Sequence, residues 1–137
     1  MIDKVIADRI KNLKLVYTDK PQPDLLVALP NQNLDVDHEV DIETSEFTSL
    51  CPLNLSQPDY ATIRIVYVPD KLVVELKSLK FYLASFRSVP IFHEQIPCGI
   101  LAALEGLLSP KWIQVTGEFT IRGGIKTTVV ATSGSPA

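Results

Sequence analysis

Cys51 is the first residue to weigh for chemistry, because a thiolate is among the most nucleophilic groups a side chain offers. It stands in Leu50-Cys51-Pro52-Leu53-Asn54-Leu55-Ser56-Gln57-Pro58-Asp59, a segment that reads as a stiff loop joining two strands and bracketed by two prolines, open to solvent and substrate. A buried, inert thiol is the plainer reading of a lone cysteine. Asp59 lies eight positions on, where a hairpin can fold it back against the thiol as a proton donor or acceptor. It can equally be an Asp that ends a loop before a strand. Glu75 and Glu94 each offer two acceptor oxygens, which match paired N–H donors on a guanine-like ring edge. Glu94 also suits a first-turn acid that complements a helix dipole. His93 beside it reads as a proton-transfer candidate or as a satisfied surface histidine.

Two segments suit anions. Lys77, Ser78 and Lys80 cluster before a helix, where amides and ammonium groups can meet phosphates, although a solvated helix start has the same composition. Arg122-Gly123-Gly124 presents a guanidinium and bare backbone, or is simply a hairpin turn. Cys51, Cys98, His38 and His93 are potential zinc ligands, but none shows C-x-x-C or H-x-x-x-H spacing, so no metal site is expected.

The elements that must hold these residues follow from hydrophobic period. Ile2, Val5, Ile6, Ile10 and Leu13 fall at helical intervals, and the Pro-rich stretch from Thr18 to Asn33 reads as a surface arm. Val36, His38, Val40 and Ile42 alternate with acidic residues, which predicts a half-buried strand over 35–43. A second strand is expected from Tyr60 to Val68 and an extended continuation from Leu72 to Leu76. Leu79, Tyr82, Leu83 and Phe86 make one helix with Ser78 as its N-cap. The next helix begins near Phe92 to Gln95, since Pro97 is tolerated only in a first turn, and stops at Ser109-Pro110. Strands over Trp112–Ile121 and Ile125–Ala131 flank the Gly123-Gly124 turn. Strands first and last with paired helices between them give an α+β layer: an antiparallel four-stranded sheet with two helices on one face.

The 137 residues, 46% of them hydrophobic, suffice for one core and leave no room for a separate nucleotide-binding domain. We divide them into an N-terminal helix and arm (1–34), one catalytic domain (35–131) and a flexible tail (132–137). A net charge of −3 without a dense basic run argues against nucleic acid as partner. The N-terminus is too charged for a secretory signal, and no apolar stretch approaches the ~20 residues of a membrane helix, so a cytoplasmic setting is expected.

Taken together, Glu46-Phe47-Thr48-Ser49-Leu50-Cys51-Pro52, Gln57-Pro58-Asp59-Tyr60, Glu75-Leu76-Lys77-Ser78-Leu79-Lys80-Phe81-Tyr82, Phe92-His93-Glu94 and Arg122-Gly123-Gly124-Ile125 resemble the NADPH-dependent nitrile reductases of queuosine biosynthesis, the QueF family in its short form. The likeness runs from about Val40 to Val130. It implies a tunnelling fold (T-fold) whose sheets join between subunits into a barrel, commonly a homodecamer of two stacked pentamers with sites at the interfaces. It implies 7-cyano-7-deazaguanine as the small-molecule substrate and NADPH as the cofactor. Carried over residue by residue, Cys51 adds to the nitrile carbon to give a thioimide, and Asp59 protonates nitrogen. Val74, Glu75, Leu76, His93 and Glu94 hold the deazaguanine, while Lys77, Ser78, Lys80, Tyr82 and Arg122 face the cofactor.

Between Cys51-Pro52 and Gln57 the chain carries four residues, Leu53-Asn54-Leu55-Ser56, where the family has three including Thr-Gly. Phe81 replaces a usual Leu or Tyr, and Pro97-Cys98-Gly99 replaces a polar stretch. A related amidinotransferase, which adds ammonia to a nitrile already in transfer RNA, keeps the cysteine but lacks the block from Glu75 to Tyr82. Zinc-dependent T-fold enzymes of pterin metabolism need more histidines than this chain has. A non-catalytic T-fold binding module is the remaining alternative.

Overall fold

The computed structural model describes residues 2–134. Its elements run α1 (Lys4–Lys11), β1 (Ala28–Pro30), β2 (Val40–Cys51), β3 (Asn54–Val68), β4 (Leu72–Val74), α2 (Leu76–Ala84), α3 (Gln95–Leu108), β5 (Trp112–Phe119) and β6 (Thr128–Gly134). β2, β3, β5 and β6 form one antiparallel sheet in that order. On β3, Asp59, Ala61, Ile63, Ile65 and Tyr67 are buried at every second position, as are Ile113, Val115, Gly117 and Phe119 on β5. A period of two forces these side chains onto one sheet face. The helices supply the matching stripe: α3 contributes Ile96, Ile100, Leu104 and Leu108, and α2 contributes Leu79, Tyr82 and Leu83, all within one core cluster. The expected α+β layer is therefore present.

Proline and capping explain the helix bounds. Pro97 sits in the first turn of α3, and Ser109, at φ 45°, ends that helix in the left-handed region before Pro110. The cap of α2 differs from expectation. Glu75, not Ser78, is the N-cap, because its longer carboxylate reaches the amides of both Lys77 and Ser78. Ser78 instead lies inside the helix, fully buried, accepting from the Val27 amide at 3.0 Å and donating to the Glu75 carbonyl.

Three boundaries are corrected. The strand expected over 35–43 starts only at Val40, so Val36 and His38 lie outside it, and it continues to Cys51. The next strand starts at Asn54 rather than Tyr60. The last runs from Thr128 to Gly134, which places residues 132–134 of the expected flexible tail in the sheet; residues 135–137 lie outside the described residues. The arm is also less peripheral than its prolines suggest. β1 pairs with β4, and Leu26 and Val27 are buried.

Burial raises the ionisation of the Tyr82 phenol well above its ordinary value, and that of Tyr67 as well, where the amide of Val74 offsets part of the shift. With both values raised, the folded chain keeps protons that an unfolded tyrosine releases near ~10. The stability involved is whole below that pH and falls as pH rises beyond it. Denaturant midpoints are expected to drop above about pH 10, and less so in Tyr82→Phe. Equal slopes in the two proteins would refute the assignment.

Candidate active site

A bulge decides which way the catalytic segment faces. Thr44 pairs with Ile63 and Phe47 with Ala61, so Ser45 and Glu46 together oppose a single residue of β3. Before the bulge Val40, Ile42 and Thr44 are the less exposed residues; after it Phe47 and Ser49 are buried. The one-residue slip thus turns Phe47 and Ser49 onto the face that carries Asp59, and a second irregularity follows between Leu50 and Cys51. Without the first slip Phe47 and Ser49 would share the outer face with Asp41 and Glu43.

Cys51 is the last residue of β2, half-buried, paired with Asn54 across the Pro52-Leu53 turn. It is therefore at a hairpin tip within a strand pair, rather than in a loop between two separate strands. Ser49 lies directly opposite Asp59 and Leu50 opposite Pro58, and then the register jumps so that Leu55, Ser56 and Gln57 have no partner in the ladder. The unpaired stretch stops short of the pairing that aligns Asp59.

Asp59 is 4% exposed and sits at the end of the buried row of β3. Its two oxygens meet different partners. Arg122 donates from Nη1 to Oδ1 and from Nη2 to the Pro58 carbonyl at 3.1 Å. His93 Nε2 stands 3.3 Å from Oδ2. The histidine is held twice: its ring stacks on Phe119, with centroids 4.0 Å apart and planes 4° from parallel, and its approach segment is stitched to β2. The Leu50 amide donates to the Val89 carbonyl, and the Ile91 amide donates to the Leu50 carbonyl. Gly117 makes room for this stack, since a Cβ there would lie 3.0 Å from both the Phe119 ring and Pro97. Phe119 is a residue that sequence reasoning missed, because only the register of β5 on β3 brings it to His93.

The residues expected around the substrate divide into two groups. His93 and Glu94 precede α3, with Glu94 exposed and its side chain capping nothing. Val74, Glu75 and Leu76 form the β4–α2 junction: Val74 is buried and its amide donates to the Tyr67 hydroxyl, Leu76 is 62% exposed, and both Glu75 oxygens hold helix amides at 2.7 and 2.8 Å. Glu75→Ala is expected to cost about 1 kcal/mol of stability through the lost cap, measured by denaturant titration; an unchanged midpoint would show the cap to be idle.

Of the residues expected at the cofactor, two are turned away. Tyr82 is 2% exposed and packs edge-on against Phe86, and Ser78 is 0% exposed, because both fall on the inner stripe of α2. Lys77 donates to the Ile10 carbonyl at the C-terminal end of α1. Arg122 sits on Asp59. Lys80 is exposed and lines an apolar groove of ≈ 290 Å³ between β2 and α2, together with Tyr17, Thr48, Leu76 and Arg87. Arg87, which the sequence reading passed over, lies 5.2 Å from the centroid of the Tyr17 ring. Among the described residues no group of three or more His, Cys, Asp or Glu is gathered to hold a metal ion. Cys51 and Cys98 form no disulfide, and no described helix is long and apolar enough to cross a membrane.

A half-buried cysteine at the tip of a hairpin, with a buried carboxylate held by Arg and His further along the same strand pair, offers groups suited to nucleophilic and proton-transfer chemistry on an antiparallel α+β scaffold. A family model described as QueF-like protein matches residues 58–137, and the chain belongs to that family. It is 48% identical over 119 residues to the NADPH-dependent 7-cyano-7-deazaguanine reductase of Helicobacter acinonychis (strain Sheeba), covering 83% of this chain and 80% of that protein. The reductase of the same name from Anaeromyxobacter sp. (strain Fw109-5) is 47% identical over 115 residues, covering 84% and 93%. That of Bacteroides thetaiotaomicron is 46% identical over 123 residues, covering 90% and 81%. Among solved structures, the archaeosine synthase QueF-Like in its apo form matches with a TM-score of 0.65 at 25% identity, over 72% of this chain and 96% of that one.

Proposed function

We infer that this chain is an NADPH-dependent 7-cyano-7-deazaguanine reductase of queuosine biosynthesis, acting through a thioimide on Cys51. The observation that carries the reading is the β2–β3 hairpin, with Cys51 at its tip and Asp59 buried within it, in a chain 46–48% identical to reductases of that name. A nitrile carbon is a poor electrophile, and a soft thiolate is suited to it. The Cys51 sulfur bonds to carbon, one π pair moves to nitrogen, and nitrogen takes up the proton that the thiol gives up. Once that carbon has accepted a hydride and Asp59 has delivered a proton to nitrogen, Cys51 would depart with the C–S pair, leaving an imine. When bound, NADPH supplies hydride to carbon, and two equivalents account for the four electrons between nitrile and primary amine. Glu94, exposed and uncommitted beside His93, offers its two oxygens to the ring N–H edge; Val74, Glu75 and Leu76 join on the strength of the resemblance, Glu75 only by releasing the helix amides it caps.

The cofactor's phosphates call for cations beside an apolar surface, and the groove with Lys80 and Arg87 on its lining fits that demand. Lys77 and Arg122 can join only by leaving their present partners. β2 and β6 are the outer strands of the sheet, which supports edge-to-edge pairing of copies into a T-fold barrel, a decamer of two pentamers. On this reading residues 35–131 are the catalytic domain, 1–34 its arm, and the enzyme works on a free base in the cytoplasm without nucleic acid or membrane.

Intact-mass measurement after mixing with 7-cyano-7-deazaguanine tests this. The expected result is an adduct of protein plus the whole substrate, consumed on adding NADPH with two cofactors oxidised per nitrile. No adduct and no oxidation would sink the reading. An adduct that ignores NADPH but yields an amidine with ammonium would make the chain an amidinotransferase.

A further inference from the structure

Ser49 is fully buried, and its hydroxyl is the buried side-chain polar atom left without a hydrogen-bond partner among the described residues. Buried hydroxyls are rarely left so. Its position is informative: it stands directly opposite Asp59 in the β2–β3 ladder, on the face to which the Ser45-Glu46 bulge has turned it, two residues before Cys51. Side chains directly opposite in an antiparallel pair have Cβ atoms ~4.5–5.5 Å apart, within which a serine hydroxyl reaches a carboxyl oxygen by rotation about χ1. Arg122 is the partner of Asp59 that can leave, its side chain being 43% exposed on a turn with Gly123 and Gly124 at positive φ, while His93, stacked on Phe119, reaches only Oδ2. Ser49, inside the ladder, cannot leave.

We propose that Ser49 is a positioning residue for Asp59, fixing the carboxyl group by a hydrogen bond made during proton delivery to the substrate nitrogen. This rests on the reductase reading above. The hydroxyl group suits both states of the acid: it donates to the carbonyl oxygen of the protonated carboxyl, which leaves the acid O–H free for the substrate nitrogen, and goes on donating to the carboxylate once that proton has passed. A methyl group at this place does neither. Each carboxyl oxygen has two lone pairs, so the bond forms whether or not Arg122 and His93 remain in place.

The test compares wild type, Ser49→Ala, Ser49→Thr, Asp59→Asn and the Ser49→Ala/Asp59→Asn double variant. Two quantities are read: adduct yield with 7-cyano-7-deazaguanine by intact mass, and the single-turnover rate at which NADPH consumes the preformed adduct. For Ser49→Ala, wild-type adduct yield with reduction slowed roughly tenfold is expected. Ser49→Thr should restore most of the rate, and in the Asp59→Asn background the alanine should cost less than twofold. Reduction by Ser49→Ala within twofold of wild type overturns the proposal. So does an equal loss in both backgrounds, which marks an independent role, or a lost adduct, which marks a role in folding or at Cys51. A wild-type chain that neither forms the adduct nor oxidises NADPH overturns the reductase reading and this proposal together. Wild-type activity with an indifferent Ser49 overturns this proposal alone.

Discussion

Cys51→Ala is expected to abolish both adduct formation and NADPH oxidation, with turnover down by on the order of 10⁴-fold or more. Cys98, the other free cysteine, is exposed on α3, outside the hairpin strands. The fold should survive. Cys51 is half-buried at the end of a strand, and Ala adopts the same backbone, so the stability change should stay within about 1 kcal/mol. Intact mass with the nitrile, beside a denaturant titration, separates lost chemistry from lost structure. Turnover within tenfold of wild type would remove the thioimide from the mechanism, and loss of the folded baseline would make the variant uninformative about chemistry, in which case Cys51→Ser repeats the test.

Asp59→Asn should give the second largest effect and divide the reaction. The amide matches the carboxyl in shape but has no proton to deliver, so reduction of the adduct should slow by ~10²–10⁴-fold. Adduct formation should largely persist, because the attacking sulfur is unchanged. Arg122 is the partner most disturbed, for its guanidinium then faces an amide; being half-exposed, it can turn to water. Rapid mixing of preformed adduct with NADPH, followed at the nicotinamide absorbance, reads the rate. Wild-type speed would strip Asp59 of its role, and failure to form the adduct would move that role to the addition step.

The two variants touch residues whose placement was differently legible. Core and helices were readable because their signals are local. Ile100, Leu104 and Leu108 repeat at helical spacing, Pro97 and Ser109-Pro110 mark the ends of α3, and both were found where the periodicity puts them. The segment around Cys51 was misread as a loop because prolines and polar residues there imitate one. In the structure a two-residue turn and an unpaired stretch at Leu55–Gln57 accommodate them, with Pro58 tolerated inside an edge-strand hairpin. Glu75 displaced Ser78 as the cap because side-chain reach, not residue preference, decides which oxygen finds the amides.

The sequence alone determined that one small α+β domain forms, that Cys51 and Asp59 are the residues to suspect, and which family the motifs resemble. These rest on composition, period and the order of short motifs, all written in neighbouring residues. Only the tertiary structure decided that Arg122 and His93 meet on Asp59, that Phe119 fixes the His93 ring, that Tyr82 and Ser78 face the core, and that Ser49 lies unpartnered opposite the acid. Those contacts join segments far apart in the chain. Those at Asp59 and Ser49 depend on a strand register and on a one-residue bulge, and a slip of one residue would reverse the strand side chains involved.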